Sequence, residues 1–576
     1  MSSGSMAPKE LVSKKLEELK KLIDVASGRK RADLVVKKAN IVNVITEEIY
    51  SSDIAIADGK IAGIGNYSGI NEIDARNLYA VPGLIDAHTH VEMSMLTLSE
   101  FAKLIVPKGT TAIVADPHEI ANVLGIEGVK YMIQEAKTLP LRYYCMAPSC
   151  VPSSNLETSG ARITEKEIEE LLSLDEVLGL AEVMSFPDVI AGKEGVLKKI
   201  LTAEKRDGHA PLVTGKELNA YVSAGIETDH ESISYEEALE KLRLGMKIMV
   251  REGSAAKNLK DLIEIVKTGN RNVMLVTDGD RNLNDLIDEG YLDHVFRRAV
   301  EEGVDPIKVL QMCTINPASH YGLDCGVIAP SRFADIVLLE NLERFRVKEV
   351  LFNGVRVEEI FKGKKRFRYP ERAKKSVKAN RINPEDIKIE GKGGRKARII
   401  GIVKGEIITE EIITEVDDKI VDPEKDVLKI IVVERHRSSG RIGKGLVKGF
   451  GIKEGALASS ISHDSHNVIA VGADNESICQ AVNRVIELQG GIVVVSSKGR
   501  AELQLEVAGL MTEKPAEETL AKLNEIHKIL KEIGCKLDSP IISLSFLALP
   551  VIPNLKITDY GLIDVNRGEV VDIFLD

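Results

Sequence analysis

His88 and His90 stand one residue apart, directly after the apolar run Val81-Pro-Gly-Leu-Ile. On an extended chain successive side chains alternate between faces, so two histidines at this spacing point the same way and can share one metal ion. Taken alone, the pair could equally be two unrelated surface histidines. Other apolar runs, however, end on or carry side chains of the same chemical kind: the fourth ends at Glu182, the fifth carries His209, the sixth ends at His230 and the eighth at Asp278. Imidazole and carboxylate suit zinc, manganese and iron alike, and six such groups can hold two ions with a carboxylate between them. Four of the 11 histidines fall at these run ends, where independent structural histidines would scatter. A second cluster, Asp116-Pro-His118-Glu119, closes the run Thr111 to Ala115. One reading is a helix start, with Asp as cap and an acid in the first turn. The other is functional: His118 bonds substrate or orients a water, and Glu119 moves protons.

Positioning such groups together requires strand ends that share one face. From Leu78 onward, strand-length apolar runs alternate with helical stretches, the pattern of parallel βα units. Eight runs are legible, near Val81 to Ala87, Thr111 to Ala115, Arg142 to Ala147, Val177 to Glu182, Asp207 to Leu212, Ile226 to Asp229, Lys247 to Arg251 and Asn272 to Thr277. Eight units over residues 78–323 match a closed (β/α)8 barrel of the TIM type, whose chemistry sits at the C-terminal strand ends.

The flanks change period. Met1 to Ser5 read as an appended leader before a start at Met6, and Leu16, Leu19 and Ile23 mark the apolar face of a helix. Short Val/Ile runs with Asp-Gly turns follow, and the same grammar returns at Ala334-Asp-Ile-Val-Leu-Leu and Val350-Leu-Phe-Asn-Gly-Val. Residues 1–77 and 324–362 are therefore expected to form one composite β-sandwich domain with an N-terminal helix. The basic stretch 363–396 reads as a solvated linker, and 397–576 as a C-terminal α+β domain with strands at Ile430-Ile-Val-Val and Gly491-Ile-Val-Val-Val and helices at Ser477 to Leu488 and Ala516 to Ile533.

A net charge of -11 over 576 residues argues against broad binding of nucleic acid, which needs a basic surface, and favours a small-molecule partner. No apolar run reaches the ~20 residues of a membrane span, so no membrane partner is expected. Six dispersed cysteines without a Cys-x-x-Cys pair suit a reducing, cytoplasmic setting. Gly443-Lys-Gly-Leu-Val-Lys-Gly lacks the Gly-Lys-Ser/Thr ending of a nucleotide loop and reads as a β-turn. Ser149-Cys150 reads as a small buried pair. His463 and His466 are either contacts reaching the barrel mouth from the C-terminal domain or parts of an ordinary surface loop.

Pro82-Gly-Leu-Ile-Asp-Ala-His-Thr-His resembles the first metal motif of the amidohydrolase superfamily. The succession Asp116-Pro-His-Glu-Ile-Ala-Asn-Val, Ser149-Cys-Val-Pro, Gly179-Leu-Ala-Glu-Val-Met, Asp207-Gly-His-Ala-Pro, Asp229-His-Glu-Ser and Arg251-Glu-Gly-Ser-Ala-Ala is more specific, and with Ser462-His-Asp-Ser-His-Asn it is similar to the adenine deaminase family over nearly the whole chain. The resemblance implies that His88 and His90 hold one metal, Glu182 bridges, His209 and His230 hold the second, and Asp278 completes the site. It implies two divalent ions, manganese first with iron or zinc as alternatives. It further implies a metal-activated hydroxide attacking C6 of adenine with Asp278 as proton carrier, giving hypoxanthine and ammonia in purine salvage. A homo-oligomer, taken as a dimer, is expected. Relatives of the dihydroorotase and hydantoinase branches bridge their metals with a carboxylated lysine, whereas Glu182 stands at that place here. Thr277-Asp278-Gly279-Asp280 departs from the family, which often has two adjacent acids there. The rivals are another amidohydrolase acting on a cyclic amide or an N-acetylamino sugar, and a non-catalytic scaffold, which would require lost metal ligands.

Overall fold

The computed structural model describes residues 8–363, 367–391, 394–404, 406–417 and 419–575. The leader Met1 to Ser5 lies outside them. Eight parallel strands build the central unit: Leu84–Thr89 (β1), Thr110–Ala115 (β2), Arg142–Ala147 (β3), Val177–Val183 (β4), Arg206–Gly208 (β5), Thr228–Asp229 (β6), Lys247–Arg251 (β7) and Val273–Val276 (β8). β1 to β5 form one sheet and β6 to β8 another. Two seams join them. Glu227 N–H donates to the Arg206 carbonyl at 2.9 Å, and Gly208 N–H to Thr228 Oγ1 at 3.0 Å. Across the other seam, Asp278 N–H donates to the His88 carbonyl at 3.1 Å. Ile85, Ala87, Ala112, Val114, Met146, Ala181, Met249 and Met274 fill the barrel interior.

The structure departs from the sequence reading in instructive places. The run Val81 to Ala87 is divided at Gly83: Tyr79–Pro82 joins the flanking sheet, and only Leu84–Thr89 enters the barrel. A side chain at 83 would collide with Thr111, its Cβ lying 2.0 Å from Oγ1. β5 stops at Gly208, short of Leu212, because Asp229 Oδ1 takes the Ala210 N–H at 3.0 Å, which a sheet partner would otherwise use.

Strands from both sides of the barrel pair in one eight-stranded sheet, with Ile336–Asn341 antiparallel to Tyr79–Pro82. The sheet turns about Ala32–Asn43, which pairs with Gly69–Asp74 along its first half and with Tyr79–Pro82 along its second. The helix Pro8–Ala26 packs through Leu22 and Val25, while the expected face Leu16, Leu19 and Ile23 is about half exposed, at 48–52%.

The stretch expected to be a solvated linker is instead packed over its described residues 367–391. Tyr369 and Ala373 join the barrel's apolar shell, and Val377, Ile382 and Ile387 lie against the C-terminal helix Asn475–Leu488. An eight-stranded sheet, running from Thr409–Val416 at one edge to Gly499–Gln504 at the other, forms the C-terminal unit. The glycine-rich Gly443 segment is its strand Ile442–Lys448, not a turn. The sheet's inner residues Ile430, Val432, Leu457 and Val471 are continuous with the shell around the barrel. That continuity holds the connection between Ala456–Ser459 and Val468–Gly472 over the C-terminal ends of β1 and β2.

Candidate active site

His88 lies near the end of β1 and His90 directly follows it, both buried. His90 Nδ1–H donates to the Asp116 carbonyl at 2.9 Å, which leaves Nε2 as a lone-pair donor aimed into the barrel mouth. There it meets Asp278 Oδ1 at 3.2 Å and Glu182 Oε1 at 3.6 Å. His88 Nε2 lies 3.1 Å from the same Asp278 oxygen and, although buried, has no hydrogen-bond partner among the described residues. On the other side of Glu182, His209 Nδ1 and His230 Nε2 approach Oε2 at 3.0 and 3.1 Å and each other at 3.3 Å.

Imidazole nitrogens converging this closely on one carboxylate oxygen fit a cation better than they fit one another. Glu182 divides its two oxygens between the His90 side and the His209–His230 side, so the donors suit two ions. Burial opposes charge on Glu182 and Asp278, but the surrounding histidines, with Arg251 at Asp278, outweigh it and hold both carboxyls well below their usual range. Both are thereby ionised, the state a metal requires.

All six expected donors come together at this mouth. Three residues to which sequence gave no role support them. Arg251, the last residue of β7, donates through Nη1 to Asp278 Oδ2 at 3.0 Å and also grips Glu231. Glu231 Oε1 lies 3.5 Å from His230 Nε2. Asp86, two residues before His88, accepts from Thr277 Oγ1 at 2.6 Å and ties β1 to β8. The second acid of the irregular Asp278-Gly-Asp280 segment turns away, accepting the Ala255 and Ala256 N–H groups at 2.8 and 2.7 Å.

The second cluster also faces the mouth. Pro117, not Asp116, stands at the cap of the helix His118–Leu124, and the Asp116 side chain does not cap it. Asp116 Oδ2 instead approaches His118 Nδ1 at 3.1 Å, and His118 lies 3.6 Å from both Glu182 and Glu119. Glu119 is reached from above: His463 Nδ1 lies 2.8 Å from Oε1, and His466 Nε2 contacts Oε2. The loop carrying these histidines is thus buried at the mouth, not an ordinary surface loop. A cavity of about 270 Å³ opens over Glu119, lined by Glu92 and Arg281 from the barrel and by Ile461, His463 and His527 from the C-terminal unit. Glu92 is buried, with Oε1 accepting from Ile120 N–H at 3.2 Å and Oε2 without a hydrogen-bond partner among the described residues.

A closed parallel barrel with histidines and carboxylates converging at its C-terminal mouth defines a metal-dependent hydrolase of the amidohydrolase class, and residues 79–357 match the Amidohydrolase family. Residues 406–569 match the Adenine deaminase C-terminal domain. The chain is 60% identical over 561 residues to the adenine deaminase of Archaeoglobus fulgidus, covering 97% of this chain and 99% of that one. It is 44% identical over 568 residues to an adenine deaminase of Dehalococcoides mccartyi, covering 96% and 99%. The chain belongs to the adenine deaminase family.

Proposed function

We propose that this protein hydrolyses adenine to hypoxanthine and ammonia, with two divalent metal ions held by His88, His90, Glu182, His209, His230 and Asp278. The convergence of these six donors beside Glu119, in a chain alike to adenine deaminases from end to end, carries the proposal. When bound, the ions supply Lewis acidity that brings the pKa of water toward ~7.

The reaction forms a C6–O bond and breaks the C6–N bond of the exocyclic amine. Of the two protons of water, one goes to the neighbouring ring nitrogen and the other leaves with ammonia. Two ionised carboxylates stand ready at different places to move them. Glu119 faces the cavity and delivers the ring proton, and Asp278, steadied by Arg251, delivers the proton to the departing amine. His118, between Glu119 and Glu182, is placed to hold the substrate or the attacking water.

Manganese ahead of iron or zinc and a place in purine salvage rest on family resemblance; a cytoplasmic setting rests on the dispersed cysteines, and a dimer completes the reading. The half-exposed face of the first helix offers apolar surface for self-association. No helix among the described residues is long and apolar enough to cross a membrane. Ammonia release is to be measured with adenine, a cyclic amide and an N-acetylamino sugar in parallel. Turnover confined to adenine is expected, and turnover confined to either rival would replace the substrate while keeping the metal site.

A further inference from the structure

We propose that the C-terminal domain is a working part of the active site: the loop Ser462–Asn467 carries two positioning residues, His463 and His466, that hold both oxygens of Glu119 and aim it into the cavity. This rests on the role proposed above for Glu119 as proton carrier.

The loop is built to present one tautomer. Ser462 N–H donates to His466 Nδ1 at 3.2 Å, so the ring hydrogen stands on Nε2, where it donates to Glu119 Oε2. His463 offers Nδ1 to Oε1 at 2.8 Å, and its ring stacks on Phe546 at 4.8 Å between centroids, which fixes its plane.

Behind the loop, the fully buried Arg435 donates to the His466 carbonyl and, at 2.9 Å, to the Ala508 carbonyl, and its backbone N–H donates to Asn467 Oδ1 at 3.1 Å. Asn467 Nδ2 donates to the Thr158 carbonyl at 2.8 Å, tying the loop to the segment that follows β3. Burial outweighs Glu119 and keeps His466 neutral, its pKa falling to about 4, so it serves as a plain N–H donor. Burial likewise opposes the Glu119 charge, but His463 and His118, together with the N–H donated by His466, prevail and hold the carboxyl well below its usual range. A carboxylate on a barrel helix is therefore oriented from another domain, and barrel and cover must be docked for Glu119 to be aimed.

The test uses the full-length, metal-loaded protein. H463A and H466A remove the donors. H463N and H466Q retain an amide N–H near the position of Nδ1 and Nε2 respectively. The alanine variants should lose kcat roughly 10²-fold, the lower range for acid–base catalysis, with KM, metal content and thermal midpoint near wild type. The amide variants should recover most of the loss. Wild-type kcat in the alanine variants overturns the proposal. So does equal loss in alanine and amide variants, which would make the histidines mere scaffold. A metal equivalent that disappears from H463A and H466A also overturns it, in favour of a third ion between Glu119, His463 and His466. Should the alanine variants fail to fold, inactive but folded H463N and H466Q overturn it by themselves. E119Q separates the two levels: full activity in E119Q removes the proton-carrier role itself, whereas an inactive E119Q beside active histidine variants removes only the positioning.

Discussion

Asp278 adopts φ 56°, a left-handed conformation that costs a non-glycine residue about 1–3 kcal/mol. The surrounding contacts enforce it: its N–H is bonded to β1, and its side chain is shared between two histidines and Arg251. Asp278→Asn keeps the shape but cannot carry a proton, so kcat should fall at least ~10²-fold while most of the metal stays. Near-normal turnover, with metal measured on the same sample, would rule out its proton role. Arg251→Met removes a charged hydrogen bond of the ~1.5–3 kcal/mol class, so kcat/KM should fall by about 10–100-fold with the metals retained. Unchanged kcat/KM would mean that Asp278 is held without Arg251. The six donors were legible because a His-x-His followed an apolar run and each remaining donor closed, or in the case of His209 lay within, a further run of the same kind. Arg251 and Glu231 went unassigned because they act on other side chains, and a strand-end arginine has no distinctive spacing.

At the scale of elements, the two shortest strands carry the most demanding side chains. β5 has three residues and β6 two, so little backbone pairing holds His209 and His230 in place. A buried network takes over. Lys241, fully buried on the helix after β6, donates to Asp229 Oδ2 at 2.9 Å, Glu237 Oε1 at 2.8 Å and the Ala210 carbonyl at 2.7 Å, and Asp229 binds the backbone on either side. Lys241→Met leaves two carboxylates without their cation, a loss of about 3–5 kcal/mol, and the thermal midpoint should drop by roughly 5–15 °C. A midpoint within error of wild type would show that the network is not needed. Strand positions were readable because buried parallel strands are short unbroken apolar runs. The packed connection 367–391 was not, because its five anchors, Tyr369, Ala373, Val377, Ile382 and Ile387, are widely spaced in a basic, periodless stretch. The first helix misled differently: its regular face Leu16, Leu19 and Ile23 is surface, and Leu22 and Val25 do the packing.

For the whole molecule, the C-terminal unit is cover as well as neighbour, since its loop reaches Glu119 across 347 positions of sequence. Contacts so remote leave no local pattern, which is why His463 and His466 were visible as candidates without a partner. The same unit carries a pH signature. Lys556 is fully buried against the Ile407 and Phe546 carbonyls at 2.7 and 3.1 Å, and burial pushes its pKa down to about 7. Between pH 7 and the ~10.4 of a free lysine, the unfolded chain holds more protons than the folded one, so this group adds stability as pH rises through that window. The midpoint of wild type relative to Lys556→Met should therefore rise from pH 7.5 to pH 9.5. A constant or falling difference would show that Lys556 keeps its ordinary pKa in the folded state.

The central claim, a two-metal site that deaminates adenine, is tested most directly by stripping the protein of metal, reconstituting it with manganese, and measuring ammonia release from adenine alongside a His88→Ala variant. Turnover that returns with two equivalents of metal and is absent from the variant is the predicted result. Full metal occupancy without ammonia release from adenine would contradict it.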